Sequence, residues 1–241
     1  MSVVYFISDA HLGLGSKEEE REKENRLIEF LDFIQSDAST LFIVGDLFDA
    51  WIEYRTVIPK GFHRLLAKLD ELVQKGIQVC YLAGNHDFWM RDYFRDELGV
   101  RIFRDAFDVT IDGKKIFLHH GDGLSDNDIG YKILKKILRN RFNIWLYSWI
   151  HPDLGIALAR SSSKKSRDYT SSKAGLEDNG MLALAQRKIT EGFDLVIMGH
   201  RHEPILKGIG NGLYINLGDW ITHNTYARME NGKVDLKTWS Q

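Results

Sequence analysis

Cysteine and proline are scarce in this chain. Its 241 residues include one cysteine, Cys80, and three prolines. A single cysteine excludes a disulfide within the chain, which fits a reducing cytoplasm. Cys80 lies in the apolar run of residues 77–82, so we predict a small buried side chain rather than a reactive thiol.

Long apolar runs are also missing. No stretch reaches the roughly 18–20 residues that a membrane span needs, and the first residues resemble a strand rather than a signal peptide. The net charge of −2 gives no overall attraction to nucleic acid or to a membrane. With 44% apolar and 27% charged residues, the composition is typical of a globular protein, which we expect to be cytosolic or peripheral to a membrane.

Buried strands and helices alternate in the first third of the chain. Residues 3–7, 40–44 and 77–82 are short apolar runs that predict strands. Between them, residues 17–35 and 62–72 carry apolar residues at helical spacing. The order strand, helix, strand, helix, strand predicts a parallel sheet with helical crossovers.

The second half predicts more strands and one insertion. Residues 109–118 form a hairpin pattern around a glycine, and residues 194–198 and 212–216 predict two further strands. Two weaker strands near the C-terminus are expected to complete a second sheet. Residues 124–172 do not fit this alternation, so we expect one domain over residues 1–241 that contains an inserted helical lid at 124–172.

Five loops, each directly after an apolar strand, carry residue types that bind metals. In open α/β sheets, ligands bind at the carboxyl ends of strands. Mixed histidine nitrogen and Asp or Asn oxygen ligands suit Mn²⁺, Fe²⁺ or Zn²⁺ better than Ca²⁺. One such loop alone is more often coincidence, and a lone histidine is often an ordinary core residue, but five loops favour a metal centre. The loops are Asp9-Ala10-His11, Gly45-Asp46, Gly84-Asn85-His86-Asp87, His120-Gly121-Asp122 and Gly199-His200-Arg201-His202.

This order of motifs, spanning residues 9–202, resembles the calcineurin-like metallophosphoesterase family. The resemblance implies a four-layer α/β/β/α sandwich with two divalent ions between the strand ends of its two sheets. Mn²⁺ is the favoured ion, with Fe²⁺ and Zn²⁺ as alternatives. A hydroxide formed from water held by both ions would attack phosphorus. The implied ligands are Asp9, His11 and His202 for one ion, Asn85, His120 and His200 for the other, and Asp46 as the bridge.

Two further residues are candidates for catalysis. His86 is the motif histidine that the family does not use as a ligand, so we expect it to meet the phosphoryl oxygens or the leaving group as a hydrogen-bond donor or acid. Asp49 occupies the position of the family residue that orients this imidazole. An ordinary turn or helix-start carboxylate is an equal alternative for Asp49.

The insertion is a basic island in a slightly acidic chain. Residues 129–167 hold nine Lys or Arg residues against one acid, Asp153. Apolar residues at helical spacing precede an aromatic cluster with Phe142, Trp145 and Trp149. Helices with cationic flanks and tryptophan anchors are typical of binding at an anionic membrane surface. A lid whose apolar face packs on the domain is the alternative, although the aromatic cluster is unusually apolar for a plain lid.

Within the family, the chain is similar to the UDP-2,3-diacylglucosamine pyrophosphatases. The similarity is carried by Gly45–Ile52, Gly84–Trp89, the His-Gly-Asp loop and Asn216–Trp220. It implies cleavage of a nucleotide–lipid pyrophosphate to UMP and diacylglucosamine 1-phosphate during lipid A synthesis. Members of that branch carry arginine where this chain has His86. The implied substrate contacts, matched only loosely, are Asp126, Arg160, Ser163, Lys164 and Arg167.

Three rival functions remain at this stage. A phosphodiesterase or phosphatase for a soluble nucleotide or phosphate ester would not need the aromatic, cationic insertion. A nuclease is disfavoured because no basic groove pattern appears outside the insertion. A non-catalytic scaffold would be expected to have lost metal ligands, and this chain has kept them. We therefore expect a nucleotide–lipid substrate and the inner face of the cell membrane as partners, with no nucleic acid and no obligate protein partner.

Overall fold

The computed structural model describes residues 2–124 and 129–240, and of Ile129 and residues 164–178 it describes the backbone alone. Within these ranges the strands and helices alternate for most of the chain. The strands are β1 Val3–Ile7, β2 Ala38–Val44, β3 Gln78–Leu82, β4 Arg101–Phe103, β5 Phe107–Ile111, β6 Lys114–His119, β7 Leu195–Met198, β8 Pro204–Ile209, β9 Gly212–Leu217, β10 Thr225–Glu230 and β11 Lys233–Thr238. The helices are α1 Lys17–Ile34, α2 His63–Gln74, α3 Tyr93–Asp96, α4 Ile129–Leu138, α5 Arg141–Tyr147 and α6 Pro152–Thr190.

Two sheets carry the fold. The first has the strand order β11-β10-β1-β2-β3-β4, and the second has the order β5-β6-β7-β9-β8. Strands β1 to β4 pair in parallel, which confirms the predicted crossovers through α1 and α2. The expectation that the two C-terminal strands join the second sheet is wrong. Strand β10 instead pairs antiparallel with the free edge of β1, and β11 follows as a hairpin.

Successive side chains along each strand point to opposite faces of the sheet, and this alternation produces the layers. In β1, Val3, Tyr5 and Ile7 face a core shared with α1 and α2, whereas Val4 and Phe6 face the core between the two sheets. The second sheet turns its other face toward α6, where Met181, Leu184 and Ala185 pack on β7 and β9. Because side chains on a strand alternate between its faces, each sheet is apolar on both sides. The expected four-layer α/β/β/α arrangement is confirmed.

The first helix is well specified by its own sequence. Ser16 caps it by accepting from the backbone N–H of Glu19, and the Glu19 side chain accepts from the backbone N–H of Ser16. This reciprocal capping box satisfies two donors that a helix start would leave unpaired. One face of the helix buries Leu27, Phe30 and Ile34 against β1.

The insertion contains two short helices, α4 and α5, and the beginning of α6. The boundary expected at residue 172 lies within α6, so the insertion and the core share this 39-residue helix. Side chains that are more than half exposed include Phe142 (64%), Trp145 (53%) and Trp149 (74%). No helix among the described residues is both long and apolar enough to cross a membrane.

Candidate dinuclear metal centre

The strand-end loops hold their polar residues in an uncommon backbone conformation. Eight described residues other than glycine have a positive φ, and five of them are predicted metal ligands. Such conformations cost free energy and cluster at functional sites. The backbone here therefore positions side chains at the expense of local stability. The five are Asp9, His11, Asp46, His200 and His202.

Two glycines allow these loops to approach one another. A Cβ atom at Gly84 would overlap both the carboxylate and the backbone nitrogen of Asp46. Gly45 has a φ of +88°, and a Cβ atom there would overlap the ring of His120. Any larger residue would push the loops apart, so both glycines are required by the close packing of the site.

The first group of candidate ligands is Asp9, His11 and His202, whose ligand atoms lie within 4.8 Å of one another. The Nε2 atom of His11 is 3.7 Å from Asp9 Oδ1, and His202 Nε2 is 3.5 Å from the same oxygen. The rings of His11 and His202 stack with centroids 4.8 Å apart. Two imidazoles and one carboxylate oxygen thus converge on one point.

The second group is Asp46, His120 and His200, also within 4.8 Å. His120 Nε2 lies 3.1 Å from Asp46 Oδ2 and 2.9 Å from Asn85 Oδ1. The other ring nitrogen, Nδ1, lies 2.9 Å from the carbonyl oxygen of Val44. A carbonyl only accepts, so Nδ1 donates to it, and Nε2 is the ring nitrogen that would bind a metal ion.

Asp46 lies between the two groups. Its Oδ2 atom is 3.7 Å from His11 Nε2 in addition to its contact with His120. Its Oδ1 atom accepts a 2.9 Å hydrogen bond from the backbone N–H of His86. The structure therefore brings all seven sequence-predicted ligands together in the predicted two sets, with Asp46 at their junction.

The electrostatics of the cluster fit a pair of cations. Among the described residues, Asp9 Oδ1 and His11 Nε2 are buried without a hydrogen-bond partner. Burial alone would lower the pKa of His120, but Asp46 beside it raises that pKa to about 10. Burial alone would also lower the pKa of His11, but Asp49 and Asp9 raise it to about 9. The carboxylates thus favour positive charge here, and the N and O donor set suits divalent transition ions.

His86 is held by a contact that differs from the expectation. Its Nδ1 atom lies 3.1 Å from the backbone carbonyl of Asp49 and 2.7 Å from Ser163 Oγ. The Asp49 carboxylate does not reach the His86 ring directly; it accepts a 3.0 Å hydrogen bond from Ser163 and lies 3.5 Å from His11 Nδ1. Asp49 therefore contacts His86 through its backbone carbonyl oxygen, and its carboxylate is linked to the ring by Ser163.

The charge state of His86 follows from its burial. Burial lowers the pKa of His86 to about 4, an effect opposed by Asp46. The ring is therefore neutral near pH 7, with its proton on Nδ1 because Ser163 Oγ and the Asp49 carbonyl both accept there. His86 also lies within 4.8 Å of the ligand atoms of His11 and Asp46. Its position is compatible both with a substrate contact and with binding of an ion.

Three supporting carboxylates had no predicted role. Asp87 accepts from the backbone N–H groups of Leu47 and Gly84, which ties two ligand loops together. Asp219 lies 3.6 Å from His202 Nδ1 and holds that ring from behind. Asp122 belongs to the His-Gly-Asp loop and pairs with Lys135 of α4 at 2.7 Å. All three occur in the sequence motifs, so this position in the motifs is the sequence signal that could have predicted a supporting role.

The structure describes the side chains of two of the five predicted substrate contacts, Ser163 and Arg160. Ser163 lies in the site, buried between His86 and Asp49. Arg160 is one helical turn before it, with an exposed side chain. Asp126 and the side chains of Lys164 and Arg167 lie outside the described residues.

An apolar chamber of about 320 Å³ opens directly beside the metal cluster. It shares Asp49, His86 and Ser163 with the polar site, so the two are continuous. Its far wall combines core residues with the insertion: Trp51, Ile52, Phe88, Trp89, Leu138, Tyr147 and Leu158. An indole N–H at Trp89 donates to the carbonyl of Leu138 at 3.0 Å, which fixes the insertion against the core on this side.

Comparison with known proteins identifies the family to which the chain belongs. A model of the calcineurin-like phosphoesterases matches residues 2–204. A UDP-2,3-diacylglucosamine hydrolase from Porphyromonas gingivalis is 33% identical over 244 residues, which cover 94% of this chain and 93% of that protein. Another, from Pseudomonas putida, is 30% identical over 224 residues, with 90% and 91% covered. The solved structure of an archaeal phosphodiesterase aligns with a TM-score of 0.49 and 16% identity, covering 98% of this chain and 99% of that one. The chain belongs to the calcineurin-like phosphoesterase family.

Proposed function

We propose that this protein is a UDP-2,3-diacylglucosamine hydrolase that cleaves the substrate's pyrophosphate to UMP and 2,3-diacylglucosamine 1-phosphate, a step of lipid A synthesis. The observation that carries the proposal is the continuity between the metal-ligand cluster and the apolar chamber. A diphosphate esterified to a lipid needs these two environments side by side. The relatives at 33% and 30% identity bear the name of that activity.

The metal-ligand assignment is part of this proposal. Asp9, His11 and His202 would hold one divalent ion, and Asn85, His120 and His200 the other, with Asp46 shared. Mn²⁺ fits the mixed N and O donors, and Fe²⁺ or Zn²⁺ would use the same set. When bound, two such ions supply an activated water and neutralise charge on the phosphoryl oxygens.

His86 would orient the phosphoryl group being attacked. Its Nδ1–H is engaged by Ser163 and Asp49, so Nε2 is the atom available to the substrate. An arriving phosphoryl anion favours the protonated ring, because an opposite charge nearby raises a histidine pKa. Protonated, His86 donates to the phosphoryl or leaving-group oxygen and thereby stabilises the charge that develops on it.

The chamber would take the acyl chains. Leu138 and Leu158 come from the insertion and face the same space as Trp51 and Trp89 of the core. Each methylene that is removed from water contributes about 0.8 kcal/mol. Six buried methylenes would therefore contribute about 5 kcal/mol, which is enough to separate a lipid from a soluble ester.

The insertion would also bind the inner face of the cell membrane. Phe142, Trp145 and Trp149 are exposed, and the surrounding segment is strongly basic. Apolar and cationic side chains on one surface are what binding to anionic lipid requires. Co-sedimentation with anionic vesicles should fall sharply when the three aromatic residues are replaced by serine, and unchanged co-sedimentation would contradict a role for this surface.

UMP release from UDP-2,3-diacylglucosamine, compared with hydrolysis of bis(p-nitrophenyl) phosphate, tests the proposed substrate. Leu158→Asp should lower the ratio of lipid to soluble-ester kcat/KM by at least about tenfold, since a charge in the chamber opposes acyl burial. Leu206→Asp is the matched control, because Leu206 is 51% exposed and Leu158 is 55% exposed, but Leu206 lies on β8. A wild-type enzyme that cleaves only the soluble ester would favour a phosphodiesterase for soluble nucleotides.

A further inference from the structure

A second cavity, which we call the cationic groove, lies on the other side of α6 from the apolar chamber. Its volume is about 510 Å³. It is formed by the loop after β1, the first turns of α1, the start of α2 and one residue of α6. The charged residues that line it are Lys17, Glu20, Arg21, Glu24, Lys60, Arg64 and Arg160, and His63 lies among them.

The acids of the groove are already engaged. Glu20 accepts from the backbone N–H groups of Gly13 and Gly15, at 2.5 and 2.7 Å, and pairs with Lys23 at 2.9 Å. Glu24 accepts from the backbone N–H of Leu65 and lies 3.9 Å from Arg64. Their negative charge therefore serves the local fold rather than the open space of the groove.

Most cations of the groove are not engaged. Within the part of the chain that the structure describes, Lys17, Arg21, Lys60 and Arg160 take part in no ion pair or side-chain hydrogen bond. All four side chains are exposed. Four exposed cations gathered from three separate segments around one cavity favour an anion in that cavity.

The cationic groove reaches the cluster of candidate metal ligands. Leu12, which lines it, directly follows the candidate ligand His11. Arg160 lines the groove, whereas Ala159, Ser162 and Ser163 line the chamber, so α6 forms a ridge between the two spaces. Arg160 is one helical turn from Ser163, a rise of about 4.5 Å along the axis. The two cavities thus flank the same polar centre.

We propose that the cationic groove holds the nucleoside monophosphate half of the substrate while the chamber holds the lipid half. This inference rests on the proposed function and adds the residues that would recognise the nucleotide. Arg160 would contact the phosphate that becomes UMP, because charge-assisted hydrogen bonds suit phosphate oxygens, and Lys17 and Arg21 would donate to the oxygens of the nucleoside. His63 lines the groove with an exposed side chain and offers a ring face on which a base can stack.

Calorimetric titration of the metal-loaded protein with UMP and with inorganic phosphate tests the groove. Inorganic phosphate would bind at the metal centre alone, whereas UMP would bind at the metal centre and in the groove together. In Lys17→Gln/Arg21→Gln we expect the Kd for UMP to rise at least about tenfold and the Kd for phosphate to change by less than about twofold. The KM for UDP-2,3-diacylglucosamine should rise together with the Kd for UMP.

The matched control is Lys207→Gln/Lys237→Gln, which removes the same charge from exposed lysines outside the groove. It should leave both Kd values unchanged. Equal weakening of UMP and phosphate in the groove variant would show general electrostatics only and would overturn the proposal, as would an unchanged Kd for UMP. Failure of the proposed function looks different: the wild-type enzyme itself would release no UMP from the lipid substrate.

Discussion

Lys135→Met should release helix α4 from the metal centre. Asp122, 3% exposed, follows the ligand loop of His120 and pairs with Lys135 Nζ at 2.7 Å. It also accepts from the Tyr131 hydroxyl at 3.1 Å and lies 3.7 Å from Arg139. Burial alone would raise the pKa of Asp122, but Lys135 and Arg139 hold it well below its ordinary value. The carboxylate therefore stays ionised and anchors α4 at any pH above about 4.

The magnitude follows from what remains after the substitution. A hydrogen bond to a charged group contributes about 1.5–3 kcal/mol. The larger cost of about 3–5 kcal/mol for an abandoned buried charge does not apply, because Arg139 and Tyr131 still contact Asp122. The opening equilibrium of α4 should thus rise by about ten- to a hundredfold, at 1.36 kcal/mol per factor of ten.

Native-state amide hydrogen exchange measures this opening. The first four N–H groups of α4 have no partner within the helix, so the amides of residues 133–138 should exchange faster by that factor, while amides of the central strands β2 and β3 should keep their rates. Lys136→Met is the control, since Lys136 lies on the same helix with an exposed side chain. Unchanged exchange of α4 in Lys135→Met, or equal acceleration in Lys136→Met, would refute the tether.

Three further predictions concern the site and the core. Asp46→Ala should lose both ions and turnover together, and two retained ions with activity within tenfold of wild type would contradict its bridging position. His86→Ala should keep both ions in metal analysis while turnover falls by about 10²–10⁴-fold; loss of an ion would make His86 a ligand. Cys80, with a pKa raised to about 11 by burial, should resist thiol reagents at pH 8 in the native protein and react only after unfolding.

Local sequence patterns predicted the part of the fold that is formed by neighbouring segments. Strands β1, β2 and β3 are apolar runs that end at a polar residue or a glycine-containing loop, so both the strands and the loops that follow could be predicted. Their parallel pairing follows from the helices between them. The partners of β10 were not visible, because its pairing with β1 joins residues more than 200 positions apart. The sequence of residues 152–190 shows no sustained helical spacing of apolar residues, so periodicity did not predict this helix.

The sequence likewise predicted only the parts of the candidate site that lie within single loops. Each ligand could be named from its own loop, since a histidine, a carboxylate or, at Asn85, a carboxamide follows a strand in every case. The environment of His86 could not be predicted in this way, because Ser163 comes from α6, 77 residues further along the chain. The cationic groove likewise combines Lys17, Lys60 and Arg160, three cations that no local pattern connects. The expectation that no basic groove pattern occurs outside the insertion missed this cavity for that reason.

Metal content measured together with activity tests the central claim most directly. The protein should be stripped with a chelator, reloaded with Mn²⁺, and assayed for bound ions per chain and for UMP release from UDP-2,3-diacylglucosamine. We predict no turnover in the stripped protein, two ions per chain after reloading, and UMP release that returns as the second ion binds. UMP release by the metal-free protein, or full activity with one ion per chain, would contradict a dinuclear hydrolase.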